Sequence, residues 1–327
     1  MSLRLTLHLT IVVFLLQALP FSWSLWSHRN LVRVVRNVVV IPGLGATAKP
    51  TFLYNITGDW LSGRLGRPMA VAVVGRQIYV TDAKDARVHV FDYEGHSVLN
   101  FGKYGTAPGE FRFPYGIAVD SSGRIYVADL YVGAISVFDP GGNFLNYFGE
   151  KNPGEGLLSA PAGLTIAGGN LYVTDVNRSQ VLVFDLQGRK LREFGKPGKG
   201  PDDILSPNAV AVAGDHVYVS DTANNRIQVF DAQGKYLRTL TGSDDPKQTV
   251  FVNVRGLGLD GRGVLYAVSN MTNVVEVFDP SGKRLFNVGG PGAGDGQLYL
   301  PNGLFVDNQG RLYVTEPGNG RVSVWQG

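Results

Sequence analysis

Apolar and polar residues alternate in short runs along most of this chain. The pattern is clearest in residues 207–231, PNAVAVAGDHVYVSDTANNRIQVFD. Residues 209–212 are an apolar run, residues 217–220 alternate around Tyr218, and in residues 226–230 Ile227 and Val229 fall on one face. Period-two alternation, broken by turn-forming Gly-Asp and Asn-Asn pairs, predicts three antiparallel strands joined by hairpin turns.

The same pattern returns along the chain. Its second-strand tyrosine recurs as Tyr79, Tyr126, Tyr172, Tyr218, Tyr266 and Tyr313, at steps of 47, 46, 46, 48 and 47 residues. An aromatic residue follows each tyrosine by 12 positions: Phe91, Phe138, Phe184, Phe230, Phe278 and Trp325. Proline opens the first strand at Pro68, Pro114, Pro161, Pro207 and Pro301, and the fifth copy reads as having Arg255 in its place. A fourth strand follows each Phe-Asp and ends at Gly102, Gly149, Gly195, Gly242 and Gly289. Four short strands in about 47 residues match a propeller blade. The sixth copy stops at Gly327 after its third strand, and the missing strand appears at the other end: FLYNITG, 52–58, matches YLRTLTG, 236–242, position by position. Sharing one blade between the two ends closes the ring and removes two unpaired strand edges. The expected fold is all-β: a six-bladed β-propeller of four-stranded antiparallel blades, closed by an N-terminal strand in the last blade.

Strands that run up and down send successive connections to alternate faces of the disc. The loops between second and third strands, such as LYVGA after Asp129 and TANNR after Asp221, share a face with the blade-to-blade loops, such as KYGTAPGEFRF. These are the long connections, and long loops on a rigid scaffold are where binding groups collect.

The motifs P-x-G-(I/L)-(A/T)-V, (I/L)-Y-V-(A/T)-D, N-R-(I/V)-x-V-F-D and G-x-(F/Y)-L-x-x-(F/L) resemble the NHL repeat over about residues 51–327. Blade one keeps Asp-Ala-Arg in place of Asn-Arg, and blade five departs most, with Arg255 and Ser269 where proline and aspartate are expected. The resemblance implies a propeller used mostly as a protein-interaction platform, of the bacterial, exported type. It does not fix an activity, because propellers host many functions.

Composition refines this picture. The 43 Gly and 17 Pro sit at repeat turns, so they punctuate strands and do not signal disorder. There is no Cys, which rules out disulfides, thiolate metal sites and a lipoprotein anchor. The net charge is only +3, and Lys196 and Lys199 are offset by Asp202 and Asp203, so no nucleic-acid footprint is evident. Residues 5–26, LTLHLTIVVFLLQALPFSWSLW, are mostly apolar. Within residues 1–26 they are expected to act as a signal peptide or an N-terminal membrane anchor. Pro20 and Ser22-Trp23-Ser24 favour cleavage; length and the lack of a cleavage-site alanine favour an anchor. Arg29, Arg33 and Arg36 pull the other way on topology. The expectation is export, with a monomeric propeller (51–327) in the periplasm or anchored outside the cytoplasm, behind a connector of residues 27–50.

Candidate chemistry is sparse. Asp82, Asp129, Asp175 and Asp221 end the second strands, with Ser269 and Glu316 in the last two blades; each is expected to accept backbone N–H groups of the loop that follows, as in an Asx turn. Arg87, Arg178, Arg226 and Arg321 are expected to pair with nearby carboxylates or loop carbonyls. His89, His96 and His216 fall at different points of their blades, so three converging imidazoles are not available for zinc. This counts against the peptidyl-hydroxyglycine lyases, which resemble the family in fold but need metal-binding histidines. No G-x-S-x-G, HExxH or GxxxxGK[ST] occurs, and GGPGAGDG (289–296) repeats the junction pattern of KPGKGPDD. The first strands expected to line the axis read AVAV, GIAV, GLTI, AVAV, GLGL and GLFV, almost without acids or histidines.

The expected function is therefore a non-enzymatic interaction scaffold of the cell envelope, with protein partners, no nucleic acid, no metal, no cofactor and no catalytic residue. The alternative is a lyase or lactonase acting at the axial channel. Partner-binding candidates on the long-loop face are Tyr104, Tyr131, Asn177, Asn224, Asn225, Met271, Asn273 and Asn319, with Tyr131 the sharpest, since related blades place Lys84, Asn177 and Ala223 there.

Overall fold

Alternating apolar residues bury one set of side chains between neighbouring sheets, and the computed structural model, which describes residues 48–59, 63–245 and 247–327, realises that pattern six times. Blade one comprises Pro68–Val74, Gln77–Asp82, Arg87–Phe91 and Ser97–Phe101. Blade two comprises Pro114–Val119, Ile125–Asp129, Ala134–Phe138 and Phe144–Tyr147; blade three Pro161–Ala167, Asn170–Asp175, Gln180–Asp185 and Lys190–Phe194. Blade four comprises Val210–Ala213, His216–Asp221, Arg226–Asp231 and Tyr236–Leu240; blade five Val254–Leu259, Leu265–Ser269, Val274–Phe278 and Arg284–Gly289. Each is a four-stranded antiparallel sheet in sequence order.

Blade six combines Leu304–Val306, Arg311–Glu316 and Arg321–Gln326 with Thr51–Ile56 from the start of the ring. Phe52 lies opposite Trp325, Asn55 opposite Ser323 and Ile56 opposite Val322. Phe52 and Trp325 meet edge to face at 5.6 Å, and Ile56 is almost wholly buried. The closing strand is shorter than the sequence match: it ends at Ile56, and Gly58–Asp59 turns away to pair with Gly63–Arg64.

The core lies between blades. Phe91, Phe138, Phe184, Phe230 and Phe278, which share one register, are all inaccessible to solvent or nearly so. Phe184 packs edge to face with Phe148, and Phe148 in turn with Tyr126 of the preceding blade. Phe101 and Phe138 meet at a tilt across the junction of blades one and two, with centroids 4.8 Å apart. Such pairs add roughly 0.5–1.5 kcal/mol beyond the area they bury.

Register corrects one reading of the sequence. Pro68, Pro114 and Pro161 pair with Asp82, Asp129 and Asp175; in blade five the residue opposite Ser269 is Val254. Val254, not Arg255, occupies the proline position. Arg255 stands one place further on, in line with Met69, Tyr115, Ala162, Asn208 and Asn302. These six residues lie at or just before the start of the inner strands, on the long-loop side of the disc. Glycine follows at 116, 163, 256 and 303, where a Cβ would lie 1.9–2.7 Å from atoms of the neighbouring inner strand, so only glycine lets the strands converge this closely.

Among the described residues no helix is long and apolar enough to cross a membrane. Residues 5–26, and all of the 27–50 connector except residues 48–50, lie outside the described residues.

Candidate functional site

The six aligned residues gather at the mouth of the axial channel. Tyr115 sends its hydroxyl to Asn208 Oδ1 at 2.7 Å, accepts Arg255 Nη1 at 3.2 Å, and lies 3.3 Å from Asn302 Oδ1. Arg255 Nη1 also donates to Asn208 Oδ1 at 3.1 Å, and Asn302 Nδ2 donates to the Met69 carbonyl at 2.8 Å. One hydrogen-bonded cluster thus ties together blades one, two, four, five and six.

The cluster divides two cavities. Below it, the inner strands enclose about 270 Å³ lined by Val71, Ile117, Leu164, Leu257, Leu304 and their neighbours. Above it, on the long-loop face, a bowl of about 620 Å³ opens to solvent. Met69, Tyr115 and Asn208 line both and form the floor between them. The bowl wall carries Phe113, Leu130, Val176, Val252 and Met271, together with Arg67 and Arg255. Among the described residues, no Asp, Glu or His lines it. Met69, Tyr115 and Ala162 are buried beneath Phe113, Leu130 and Val176.

The loops around the bowl are held by the second-strand acceptors, and the clamp is wider than an Asx turn. Asp129 accepts Tyr131 and Val132 N–H from the loop that follows it, and also Arg112 and Phe113 N–H from the preceding blade junction. Asp82 likewise takes Lys84 and Asp85 on one side and Gly66 and Arg67 on the other. Ser269 keeps a reduced version, accepting Val252 N–H and the Thr272 hydroxyl. Local sequence carries no sign of the junction contacts, because they depend on how neighbouring blades dock. Burial pushes the Asp221 pKa up, against the opposing pull of Arg226 and Asn224. Arg226 and Arg321 pair with Asp221 and Glu316 and donate to junction carbonyls, and Arg178 donates to the carbonyls of Gly156 and Leu157. For Arg87 no such bond is made among the described residues, where its buried Nε has no hydrogen-bond partner.

The candidates on this face separate into two kinds. Tyr104 (66% exposed), Tyr131 (69%) and Met271 (56%) project into solvent. Arg112 lies over the Tyr104 ring at 4.9 Å, and Tyr131 leans on Phe113 with centroids 4.9 Å apart. The asparagines are tied into loops. Asn224 and Asn319 donate to the Gly198 and Gly292 carbonyls and to the clamp carboxylates. Asn225 and Asn273 have positive φ and accept N–H from Asn253 and Leu300, and Asn177 donates to the Ser159 hydroxyl. Sequence reasoning missed Val252 and Tyr299, both 47% exposed in junction loops, and the Arg255 cluster.

One metal-like grouping occurs among the described residues: ligand atoms of Asp82, Asp85 and His89 lie within 4.8 Å of one another. The Asp82 carboxylate is already engaged by four N–H donors, as above. His89 is fully buried, neither ring nitrogen makes a well-formed hydrogen bond among the described residues, and burial holds its pKa below the usual imidazole range. The Gly-rich junctions are closed on themselves: Glu110, Asp203 and Gln297 accept the N–H groups of Ala107, Gly200 and Gly294. This occupies the donors a phosphate would need.

A family model described as "6-bladed beta-propeller" matches residues 62–152 and 151–252. Protein lin-41 of Caenorhabditis elegans is 45% identical over 49 residues, which is 15% of this chain and 4% of lin-41. Among solved structures, a streptogramin B lyase superposes with a TM-score of 0.62 at 16% identity, covering 85% of this chain and 98% of the lyase. An auxiliary nutrient binding protein from Bacteroides thetaiotaomicron superposes with a TM-score of 0.62 at 11% identity, covering 80% and 69%. At such identities the likeness concerns the fold alone.

Proposed function

Since this chain belongs to the 6-bladed beta-propeller family, whose fold hosts both enzymes and binding proteins, we propose from its own site that it is a binding module that engages a protein partner through the long-loop face. The observation that carries this reading is the composition of that face: Tyr104 and Tyr131 project from it into solvent, and exposed Met271 lines an apolar bowl that offers two guanidinium groups, amides and a phenol but no carboxylate or imidazole among the described residues. These are groups for recognition, and aromatic and arginine side chains dominate binding hot spots. An axial lyase or lactonase would need an acid–base pair or metal ligands facing the bowl or channel. We further infer that the blades are NHL-type repeats, in line with the short lin-41 match, and that residues 5–26 export the ring.

The test is capture of partners by the immobilised full chain, compared with the Tyr104→Ala/Tyr131→Ala/Met271→Ala variant and with Leu145→Ala, an exposed outer-strand control. A partner lost by the triple variant and kept by the control supports the reading; equal capture by both overturns it. Export is tested by a reporter active only outside the cytoplasm, fused after Gly327; activity of a cytoplasm-only reporter there would overturn it.

A further inference from the structure

We propose that Arg255 is the anchor of a carboxylate-binding site at the centre of the long-loop bowl, and that it takes a peptide carboxylate flanked by an apolar side chain. The inference rests on the reading of that face as a binding surface and names the chemistry it binds.

Arg255 differs from the strand-three arginines. Arg226 and Arg321 each face a buried carboxylate, at 2.6 and 2.8 Å. Arg255 has no ion-pair partner among the described residues. Its neighbours are all neutral: Asn253 Oδ1 on Nε at 2.8 Å, and the Tyr115 hydroxyl and Asn208 Oδ1 on Nη1. Nη2 makes no hydrogen bond among the described residues, so its two N–H groups remain free to donate, while Nε and Nη1 are engaged. A second guanidinium, that of Arg67, lies over the Phe113 ring at 5.2 Å on the same wall and also has no carboxylate partner among the described residues. Two cations therefore face a cavity with no acid in its described lining.

Three physical points follow. The free Nη2 can donate to a carboxylate oxygen without displacing the three existing bonds, and charge-assisted hydrogen bonds are the stronger kind. Arg255 is already held by three bonds, so little side-chain freedom is lost when a ligand arrives. Finally, Phe113, Leu130, Val176 and Met271 form an apolar wall beside the cation. A carboxylate with an adjacent apolar side chain meets both; a bare anion meets only one. The carboxylate has two sources in a peptide, a chain terminus or an Asp or Glu side chain.

The experiment follows the arginine Nε–H signals of the ¹⁵N-labelled full chain during titration with three probes. These are N-acetyl-Ala-Leu with a free terminal carboxylate, its terminal amide, and N-acetyl-Glu-Leu-amide. The Arg255 signal should move saturably with a carboxylate probe, and the first and third probes distinguish a terminal from a side-chain source. The amide should bind at least tenfold more weakly. Arg255→Gln should weaken the carboxylate probes tenfold or more, Arg255→Lys less, and Arg67→Gln several-fold. Arg189→Gln, on the outer edge of blade three, should leave binding unchanged. Melting temperatures of all variants separate loss of binding from loss of fold. Equal affinity for the amide, unchanged affinity in folded Arg255→Gln, or no Arg255 shift at about 10 mM probe would overturn the proposal. If a partner is lost with Tyr131→Ala but kept with Arg255→Gln, the face is the binding surface and the carboxylate site is wrong. A carboxylate titration at Arg255 without any face-dependent partner supports the carboxylate site and overturns the protein-partner reading.

Discussion

Ile56→Ala tests ring closure with a single side chain. Ile56 is 1% exposed, lies opposite Val322, and packs with Val324, Tyr313 and Leu65 in the core between blades six and one. Truncating a buried Ile to Ala costs about 2–5 kcal/mol, from lost transfer energy plus the cavity left behind. The ring has roughly 280 residues. At about 2.1 cal/mol/K of unfolding entropy per residue, each kcal/mol moves Tm by about 2 °C, so the drop should be about 4–10 °C. The internal standard is Leu240→Ala. Leu240 holds the same place in the outer strand of blade four, opposite Ile227, and is 6% exposed. If Thr51–Ile56 is a full fourth strand, the two variants should lose similar amounts, read by thermal and urea denaturation. Deleting residues 51–58 should cost more still, because it also bares the edge of Arg321–Gln326. An Ile56→Ala variant that melts within about 1 °C of the parent, while Leu240→Ala falls by several degrees, would refute closure.

Asp129→Ala should destabilise by at least about 3 kcal/mol in urea, because four loop N–H groups lose one buried charged acceptor, whereas Ser269→Ala in blade five should cost only about 1 kcal/mol. Tyr131→Ala should cost no more than about 1 kcal/mol of stability, the value of its contact with Phe113, but should weaken partner binding by about 1–2 kcal/mol or more; unchanged affinity with a lower Tm would make it a packing residue. Burial lowers the His89 pKa, so just below the ordinary imidazole pKa of 6.5 the unfolded chain binds more protons and stability should fall as pH falls; His89→Gln, which copies the residue blade four carries there as Gln228, should flatten the pH dependence of Tm just below 6.5.

The repeat period, the strand order within a blade, the blade count and the shared closing blade were all legible in the sequence. Each is written in local spacing, such as the 12 residues from Tyr218 to Phe230 or the match of residues 52–58 to residues 236–242. The long-loop face was legible too, since alternating strands fix the side on which each connection lies. What the sequence lacked was pairing between blades. It placed Arg255 in the proline register, because only the pairing of Val254 with Ser269 shows that Arg255 comes one step later. It reduced Asp129 to a turn residue, because Arg112 and Phe113 reach that carboxylate only when blades one and two dock. The hydrogen-bonded cluster at the channel mouth is the extreme case. Asn208, Arg255 and Asn302 lie 93, 140 and 187 positions along the chain from Tyr115. No periodicity of apolar positions brings four such different side chains together. Closing the ring does, because every blade contributes the same register position to one axis.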